Sequence, residues 1–222
     1  MVRKKTLQAN VLVVGLGRFG SALARELMDS GSEVLGIDMD ERLVQMMSTE
    51  LTHCVKADAT DETTLRELGA AEFDCAVVAI GNDLESSILT TSLLLQLGVK
   101  RVWAKANSDA HGKILKQLGV HHVVFPEKEM GQRVAHMVTG ESLEYLPIDE
   151  NLVMAKTDVA EEFAGKTLQE IGIRSTYGVT VMAISRNGQP YEPAVPSTVL
   201  EAGSQILVAG AKKPLQDFCR IQ

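Results

Sequence analysis

The sequence lacks the residue patterns of several common functional sites. Its three cysteines, Cys54, Cys75 and Cys219, are widely spaced and include no C-x-x-C pair. This spacing favours reduced core thiols in a cytosolic protein over a disulfide framework or a zinc site. The five histidines show no H-x-x-x-H spacing, so we interpret them as structural or solvated. The sequence has no G-x-S-x-G and no G-x-x-x-x-G-K-[ST], and the chain is therefore not a P-loop NTPase.

The sequence also lacks an excess of basic residues and a long apolar run. The formal net charge of the 222 residues is −7, whereas a protein that binds the polyphosphate backbone of DNA or RNA is normally basic. The basic N-terminal segment leads into an apolar run too short for a signal peptide core or a membrane span. We therefore expect a soluble, cytoplasmic protein that binds no nucleic acid and meets a membrane only through a partner.

Short apolar runs alternate with helical stretches over the first 125 residues. This rhythm indicates a parallel sheet with helices on both faces, and continuous apolar runs are typical of strands that are buried on both sides. Six such units predict an α/β fold with a Rossmann-like doubly wound sheet. The expected strands lie at 11–14, 33–37, 52–56, 75–79, 101–105 and 121–125.

The pattern changes after Pro126. Residues 127–139 predict one more helix, and Gly140 and Pro147 indicate a hinge over 140–152. Beyond the hinge we expect a small α+β domain with one short helix at 165–173 and a hairpin turn at Asn187-Gly188. Its strands are predicted at 152–157, 179–185 and 205–209. The predicted division is 1–126 for the first domain, 127–147 for a connecting helix and hinge, and 148–222 for the second domain.

The first apolar run ends in a G-x-G-x-x-G motif, "GLGRFG". It follows a predicted strand and opens a predicted helix, which is the context of a dinucleotide-binding turn. Gly15 would permit the tight turn, Gly17 would let the backbone approach a phosphate, and Gly20 would let the helix pack closely on the strand. The free N–H groups at the start of the helix favour an anion. The alternative is a turn with a purely structural role.

Arg18 is unusual in this motif because a cation in the first turn of a helix opposes the helix dipole. A second anion beyond a pyrophosphate would reverse that effect, and arginine suits forked contacts with phosphate. The anion could be a terminal phosphate or an acidic residue such as Glu127 across the crevice. The alternative is an arginine that points into solvent. With Arg18, the turn suits ATP or ADP as well as NAD.

Acidic residues follow the second and third predicted strands. Asp38 stands 18 residues after Gly20, where a carboxylate accepts hydrogen bonds from ribose hydroxyls and repels a 2′-phosphate, so NADP is disfavoured. The alternative is that Asp38 caps the next helix, although Asp40 could be that cap. Asp58 could face the same crevice or be a loop residue without a ligand, with Asp61 or Thr60 as the cap of the following helix.

Three further candidates lie farther along the chain. Gly81 follows the fourth strand and allows a close backbone approach, or it belongs to an ordinary turn. Lys105 ends the fifth strand and could be simply its solvated end. Glu127 opens the helix after Pro126, where an acidic residue is favourable even without a ligand. Met39, Met46 and Met47 are interpreted as core residues rather than as part of a cofactor site.

The predicted second domain argues against a dehydrogenase. Such an enzyme needs a substrate domain with an acid or base near the nicotinamide, and residues 148–222 contain no histidine. A small β-rich domain suits subunit pairing or ligand sensing. An NAD-dependent oxidoreductase with a small substrate domain is the alternative.

The chain resembles the cytosolic regulatory subunits of Ktr/Trk-type potassium uptake systems, which consist of an RCK N-lobe and a C-lobe. The resemblance rests on "VVGLGRFGSALARELMDSGSEVLGIDMDE", "KADATDETTLRELG", "AIGNDLESSILTTSLLLQLGV", "VWAKAN" and "GVHHVVFPEKEMG" in the first domain. In the second it rests on "FAGKTLQEIGIRSTYGVTVMAISRNG" and "LEAGSQILVAG". The match spans nearly the whole chain. Val120 replaces a residue that is usually small, and Asp58 stands where some members carry asparagine.

The resemblance implies a non-catalytic protein whose dimers assemble into an octameric ring on the inner face of the cell membrane. The ring would be docked on a membrane-embedded K⁺-translocating subunit, and binding of ATP, ADP or NAD(H) would change its shape. Residues 127–139 would be a crossover helix that swaps between subunits. Some members bind cyclic di-AMP between paired C-lobes near the segment that matches Ile173 and Arg174, and we leave open whether this chain does.

The resemblance also assigns roles to individual residues. The phosphates would be held by the glycine turn, the ribose by Asp38, and other parts of the nucleotide by Asp58, Ile80 and Lys105. Glu127 would lie near the phosphates or a divalent cation. The complete set of predicted nucleotide-binding residues is Gly15, Gly17, Arg18, Phe19, Gly20, Asp38, Asp40, Asp58, Ala59, Ile80, Gly81, Lys105 and Glu127.

Overall fold

The computed structural model describes residues 9–138, 144–149 and 151–221. The chain divides into two structural units after Glu127. The helices and strands of the first unit are β1 Asn10–Val14, α1 Arg18–Asp29, β2 Glu33–Asp38, α2 Glu41–Met47, β3 His53–Lys56, α3 Glu62–Glu67, a 3-10 turn at Ala70–Glu72, β4 Cys75–Val78, α4 Leu84–Gln96, β5 Val102–Lys105, α5 Asp109–Gln117 and β6 His122–Val124. The predicted alternation of strands and helices is confirmed.

The six strands form one parallel sheet in the order β3-β2-β1-β4-β5-β6. This is the strand order of the Rossmann fold, and it confirms the predicted fold class. The chain leaves β1 toward β2 on one side and reaches β4 on the other. The carboxyl ends of β1 and β4 therefore border a crevice at the point where the strand order reverses, which is where doubly wound sheets bind ligands.

Both faces of this sheet are buried. Leu12 and Val14 point into one hydrophobic core, and Val11 and Val13 point into another on the opposite face. Helices cover both faces of a doubly wound sheet, so the strand needs apolar side chains at every position and not at alternate ones. This is why β1 reads as a continuous apolar run.

The helices of the first unit begin in two ways. Asp40, Asp61, Asp83 and Ser108 cap α2, α3, α4 and α5 by accepting hydrogen bonds from backbone N–H groups of the first turn. The predicted alternative caps Asp40 and Asp61 are thus confirmed. By contrast, α1 begins after Gly17, which has no side chain to cap it.

The second unit contains a five-stranded antiparallel sheet in the order β10-β9-β11-β8-β7. The helix α6, which connects the units, spans Pro126–Val138. The other elements are β7 Glu144–Pro147, β8 Val153–Asp158, a 3-10 turn at Glu161–Phe163, α7 Leu168–Ile171, α8 Ile173–Tyr177, β9 Val179–Ser185, β10 Glu192–Pro193, β11 Gln205–Gly210 and α9 Lys212–Cys219. Its core packs aromatic rings of Phe163, Tyr177 and Phe218 against each other.

Three details of the second unit differ from the sequence prediction. Residues 144–147, predicted as part of a hinge, form β7, which pairs with β8; Gly140 lies outside the described residues. The single helix expected at 165–173 is replaced by α7 and α8, because Gly172 between them is left-handed with φ +66°. The strand β10 and the helix α9 were not predicted.

The hairpin turn at Asn187-Gly188 is confirmed. Both residues have positive φ, +49° and +75°, as a type I′ turn requires.

In the part of the chain that the structure describes, no helix is both long enough and apolar enough to cross a membrane.

The closest approach of α1 to the sheet gives a prediction for folding. A Cβ on Gly20 would lie 1.8 Å from the carbonyl oxygen of Gly15, whereas a Cβ on Gly17 would meet nothing within 4 Å. We expect Gly20→Ala to lower the free energy of unfolding by about 3 kcal/mol because the helix must move away. The matched variant Gly17→Ala should lower it by less than about 1 kcal/mol. Chemical denaturation of both full-length variants measures the difference, and equal losses would contradict this role of Gly20.

Candidate functional site

The crevice of the first unit contains a cavity of about 380 Å³. It is bordered by the glycine turn, by the carboxyl ends of β2 to β5 and by the first turn of α6. The predicted residues that line it are Gly15, Gly17, Arg18, Phe19, Asp38, Asp58, Ala59, Ile80, Gly81, Lys105 and Glu127. Two predicted residues, Gly20 and Asp40, lie outside the lining: Gly20 packs beneath the turn, and Asp40 caps α2.

The three glycines of the motif have different structural roles. Gly15 has φ +94°, and a Cβ there would lie 3.0 Å from the backbone carbon of Ala79. Gly20 faces the Gly15 carbonyl, as described above. The packing of the protein itself therefore accounts for Gly15 and Gly20. Gly17 has an ordinary φ of −64° and open space where a side chain would be, so its lack of a side chain leaves the surface of the cavity open to a ligand.

The N-terminus of α1 is suited to an anion. Gly17 provides no capping side chain, and the first turn contains no acidic residue. The exposed Arg18 is instead the first residue of the helix and lines the cavity. The start of α1 at the cavity thus combines free N–H groups, the positive end of the helix dipole and a cation. Helix N-termini bind phosphate through the first two of these features.

Asp38 links β2 to the glycine turn. One of its carboxylate oxygens, Oδ2, accepts a hydrogen bond from the backbone N–H of Leu16 at 2.7 Å, and Oδ1 accepts one from that of Asp40 at 2.8 Å. The alternative that Asp38 caps α2 is wrong, because Asp40 has that role. Each carboxylate oxygen can accept a second hydrogen bond, so Asp38 holds the turn in place and can still accept from a hydroxyl in the cavity.

Lys105 and Glu127 form an ion pair at the cavity. Lys105 is only 8% exposed, which contradicts the alternative of a solvated strand end. Its Nζ lies 2.5 Å from Oε1 of Glu127 and 5.8 Å from the centroid of the Phe19 ring. The hydrogen bond from Lys105 lowers the pKa of Glu127, and the charge of Arg18 adds a smaller effect in the same direction. Glu127 therefore bonds to Lys105, whereas the sequence had suggested it as a partner of Arg18.

The loops after β3 and β4 complete the cavity. Asp58 accepts hydrogen bonds from the backbone N–H of Thr60 at 2.9 Å and from its hydroxyl at 2.7 Å, which fixes the loop locally. A Cβ on Gly81 would lie 3.3 Å from Nζ of Lys105, so this glycine leaves room for the lysine. Asn107 donates a side-chain hydrogen bond to the carbonyl of Gly81 and ties the loop to the end of β5.

Sequence reasoning missed several residues of the lining, including Thr90, Ser86 and Met39. The buried Thr90 donates its hydroxyl to the carbonyl of Ala59 at 3.1 Å. The signal was the run "ESSILTT", which places small polar residues on the buried side of α4. Met39 was interpreted as a core residue, but only Met47 of the three methionines is buried; Met39 and Met46 are exposed.

No metal centre is formed by the protein alone in the described ranges. Among those residues, no three histidine, cysteine, aspartate or glutamate side chains come close enough together to hold a metal ion. Glu127, the predicted metal ligand, contributes a single carboxylate that already bonds to Lys105. Such a carboxylate suits a divalent cation only together with other oxygens, such as those of a phosphate.

Comparison with known proteins identifies the family. A TrkA-N domain matches residues 11–126, and a TrkA-C domain matches residues 152–222. The Ktr system potassium uptake protein A of Vibrio alginolyticus is 37% identical over 95% of this chain and 96% of its own. Protein C of the same system in Bacillus subtilis is 36% identical over 93% of this chain and 94% of its own. The chain belongs to the family of proteins with TrkA-N and TrkA-C domains that includes the Ktr system potassium uptake proteins.

Solved structures of one more distant protein share the fold. The GsuK channel bound to NAD superposes with a TM-score of 0.67 at 21% identity, over 95% of this chain and 39% of that chain. GsuK bound to ADP gives a TM-score of 0.51 at 25% identity, over 61% of this chain and 35% of that chain. These structures confirm the fold, and the domain matches and the Ktr relatives confirm the predicted family resemblance.

The Lys105–Glu127 pair gives a prediction that needs no ligand. In Lys105→Met, the pKa of Glu127 should rise toward its ordinary value of 4.5, because the hydrogen bond that lowers it is lost. The matched variant Lys100→Met removes a lysine that pairs with Asp74 and should leave the pKa of Glu127 unchanged. Carboxyl NMR titration measures both. An unchanged pKa in Lys105→Met would show that the pair does not form in solution.

Proposed function

We propose that this protein is a non-catalytic, nucleotide-responsive regulatory subunit of a potassium uptake system. It binds ATP, ADP or NAD(H) in the crevice of its TrkA-N domain and acts from the cytoplasm on a membrane-embedded K⁺-translocating subunit. The observation that carries this proposal is the cavity at the switch point of the sheet, which combines an uncapped helix N-terminus, a ribose-type carboxylate and a buried lysine. The names of the Ktr relatives provide the transported ion and the system.

The cavity suits an adenine nucleotide in its residues and charges. Gly17, the amides at the start of α1 and Arg18 would bind phosphate groups. Asp38 would accept from ribose hydroxyls while it keeps its hydrogen bond to Leu16. NAD and ADP are bound by GsuK, a protein of the same fold, which supports the same ligand class here.

A way for the ligand to change the protein follows from the Lys105–Glu127 pair. Because Lys105 is buried, its ammonium group needs an anionic partner nearby, and in this structure that partner is Glu127. A phosphate in the cavity would offer Lys105 a second partner. Glu127, in the first turn of α6, would then be released, or would hold a divalent cation together with the phosphate oxygens. In either case the binding site changes the contacts of the helix that leads into the second unit.

The proposal includes an octameric ring of dimers in which residues 127–139 exchange between subunits and the C-lobes pair. Ligands shift such an assembly only if they differ in affinity for two of its states. A coupling free energy of about 1–3 kcal/mol is enough for a switch, which is within the reach of one charged hydrogen bond. The alternative function is an NAD-dependent oxidoreductase. It is disfavoured because residues 148–222 contain no histidine that could act as an acid or base.

The function is tested through Arg18. We expect Arg18→Ala to weaken the binding of ATP more than that of ADP or NAD, by about tenfold or more, because a charged contact with a terminal phosphate contributes about 1.5–3 kcal/mol. It should also blunt the ATP dependence of K⁺ flux in vesicles reconstituted with the membrane partner. The control is Arg25→Ala, which removes an arginine of the same helix that pairs with Glu50 and does not line the cavity.

Two results would count against this account. Equal losses of affinity for ATP and ADP would mean that Arg18 attracts both nucleotides without distinguishing them. Another residue, Glu127 first, would then have to distinguish ATP from ADP. Turnover of NADH by the purified wild-type protein would favour the oxidoreductase instead.

A further inference from the structure

A cluster of two carboxylates and one guanidinium lies at the end of β2. Under the proposed function, on which this inference rests, the cavity accepts a ribose there. Asp38 lines the cavity, and its Oδ1 accepts the backbone N–H of Asp40. Arg42 follows two residues later, in the first turn of α2. Its neighbours Met39 and Leu43 both line the cavity, so the arginine is attached to a segment that forms the rim.

Arg42 is held by Asp40 through a forked contact. Its Nη2 donates to Oδ2 of Asp40 at 2.8 Å, and its Nε donates to Oδ1 at 3.2 Å. The backbone N–H of Arg42 also donates to Oδ1, at 2.9 Å. These hydrogen bonds lower the pKa of Asp40 to about 2, so the pair is fully charged at neutral pH. The side chain of Arg42 is 89% exposed, and apart from Asp40 little restrains it.

The Asp40–Arg42 pair bears on whether the site accepts a ribose 2′-phosphate or a free 2′-hydroxyl. Sites that accept a 2′-phosphate use an arginine near the end of the second strand, whereas sites that accept a free 2′-hydroxyl use a carboxylate there. This chain carries both kinds of residue. Asp38 is the carboxylate, and Arg42 is an arginine on the adjacent rim whose Nε and Nη2 each donate one hydrogen bond to Asp40.

We propose that Asp40 is a specificity-determining residue, which by holding Arg42 makes the site select adenine nucleotides with a free ribose 2′-hydroxyl over those with a 2′-phosphate. Asp38 repels the 2′-phosphate directly, and Asp40 holds Arg42, the arginine beside the ribose position that would otherwise attract it. Specificity of this kind combines a repulsive element with the absence of an attractive one.

The simpler role of Asp40 is to cap α2, and the variant Asp40→Asn separates the two roles. Asparagine caps helices as well as aspartate does, but its neutral side chain does not hold a guanidinium as a carboxylate does. The test measures the ratio of NADPH to NADH affinity by fluorescence titration of the full-length protein. Five proteins are compared: the wild type, the Asp38→Asn variant, and the same variant with Asp40→Asn, with Arg42→Ala, or with both. Using Asp38→Asn as the background removes the direct repulsion.

We expect Asp40→Asn to raise the NADPH to NADH affinity ratio about tenfold, which corresponds to about 1.4 kcal/mol, and only when Arg42 is present. A rise of the same size in the Arg42→Ala background would mean that Asp40 acts by its own charge, and it would overturn the proposal. So would an unchanged ratio, or wild-type protein that binds NADPH as well as NADH. If the wild-type protein binds no NADH, ATP or ADP at all, the proposed function itself fails, and this result is distinguishable from the others.

Discussion

The contact between Gly20 and the Gly15 carbonyl is the constraint on which the site depends. It brings the first turn of α1 against the carboxyl end of β1, closer than any side chain would allow. The N-terminus of α1 is therefore directed into the crevice between β1 and β4. Asp38 then holds the turn from the other side through the N–H of Leu16. Two contacts that involve no ligand thus place the amides and the Asp38 carboxylate in one cavity.

The cavity lining contains two cations, Arg18 and Lys105, and four carboxylates, Asp38, Asp58, Asp83 and Glu127, and the two cations favour an anion near the glycine turn. Arg18 adds a cation to a helix N-terminus that already favours anions. Lys105 is buried, and Glu127 supplies one negative charge for it. A phosphate would provide the negative charge that this arrangement favours, and it would compete with Glu127 for Lys105. Under the proposed function, ligand binding would change the contacts of Glu127, in the first turn of α6, through this lysine.

The first unit could be predicted largely from the sequence, because the inner strands β1, β2, β4 and β5 are largely buried and read as apolar runs. The glycine turn and the strand ends then placed eleven of the thirteen candidate residues around the cavity. The pairing of Lys105 with Glu127 could not be predicted, since it joins the end of β5 to the first turn of α6, 22 residues farther along the chain. Thr90 was missed because its contact with Ala59 joins positions 31 residues apart, which the polar run around Thr90 does not reveal.

The elements of the second unit that the sequence analysis missed, β7, β10 and α9, have weak sequence signals. The strand β10 has only two residues, and β7 ends in Pro147, which resembles a loop signal although an edge strand tolerates it. The helix α9 begins with two lysines and Pro214 and has no capping side chain, so it lacks the usual start signals. Its position is fixed by the burial of Leu215 and Phe218 in the core.

The central claim is that the open face of Gly17 is where phosphate meets the backbone. Calorimetric titration of ATP, ADP and NADH into the wild-type protein and the variants Gly17→Asp and Gly17→Ala tests it most directly. The account predicts binding to the wild type and loss of all three ligands in Gly17→Asp, which retains its fold while its carboxylate occupies and repels the phosphate position. Gly17→Ala, with its smaller side chain, should show an intermediate loss. Unchanged affinity in Gly17→Asp would contradict the account.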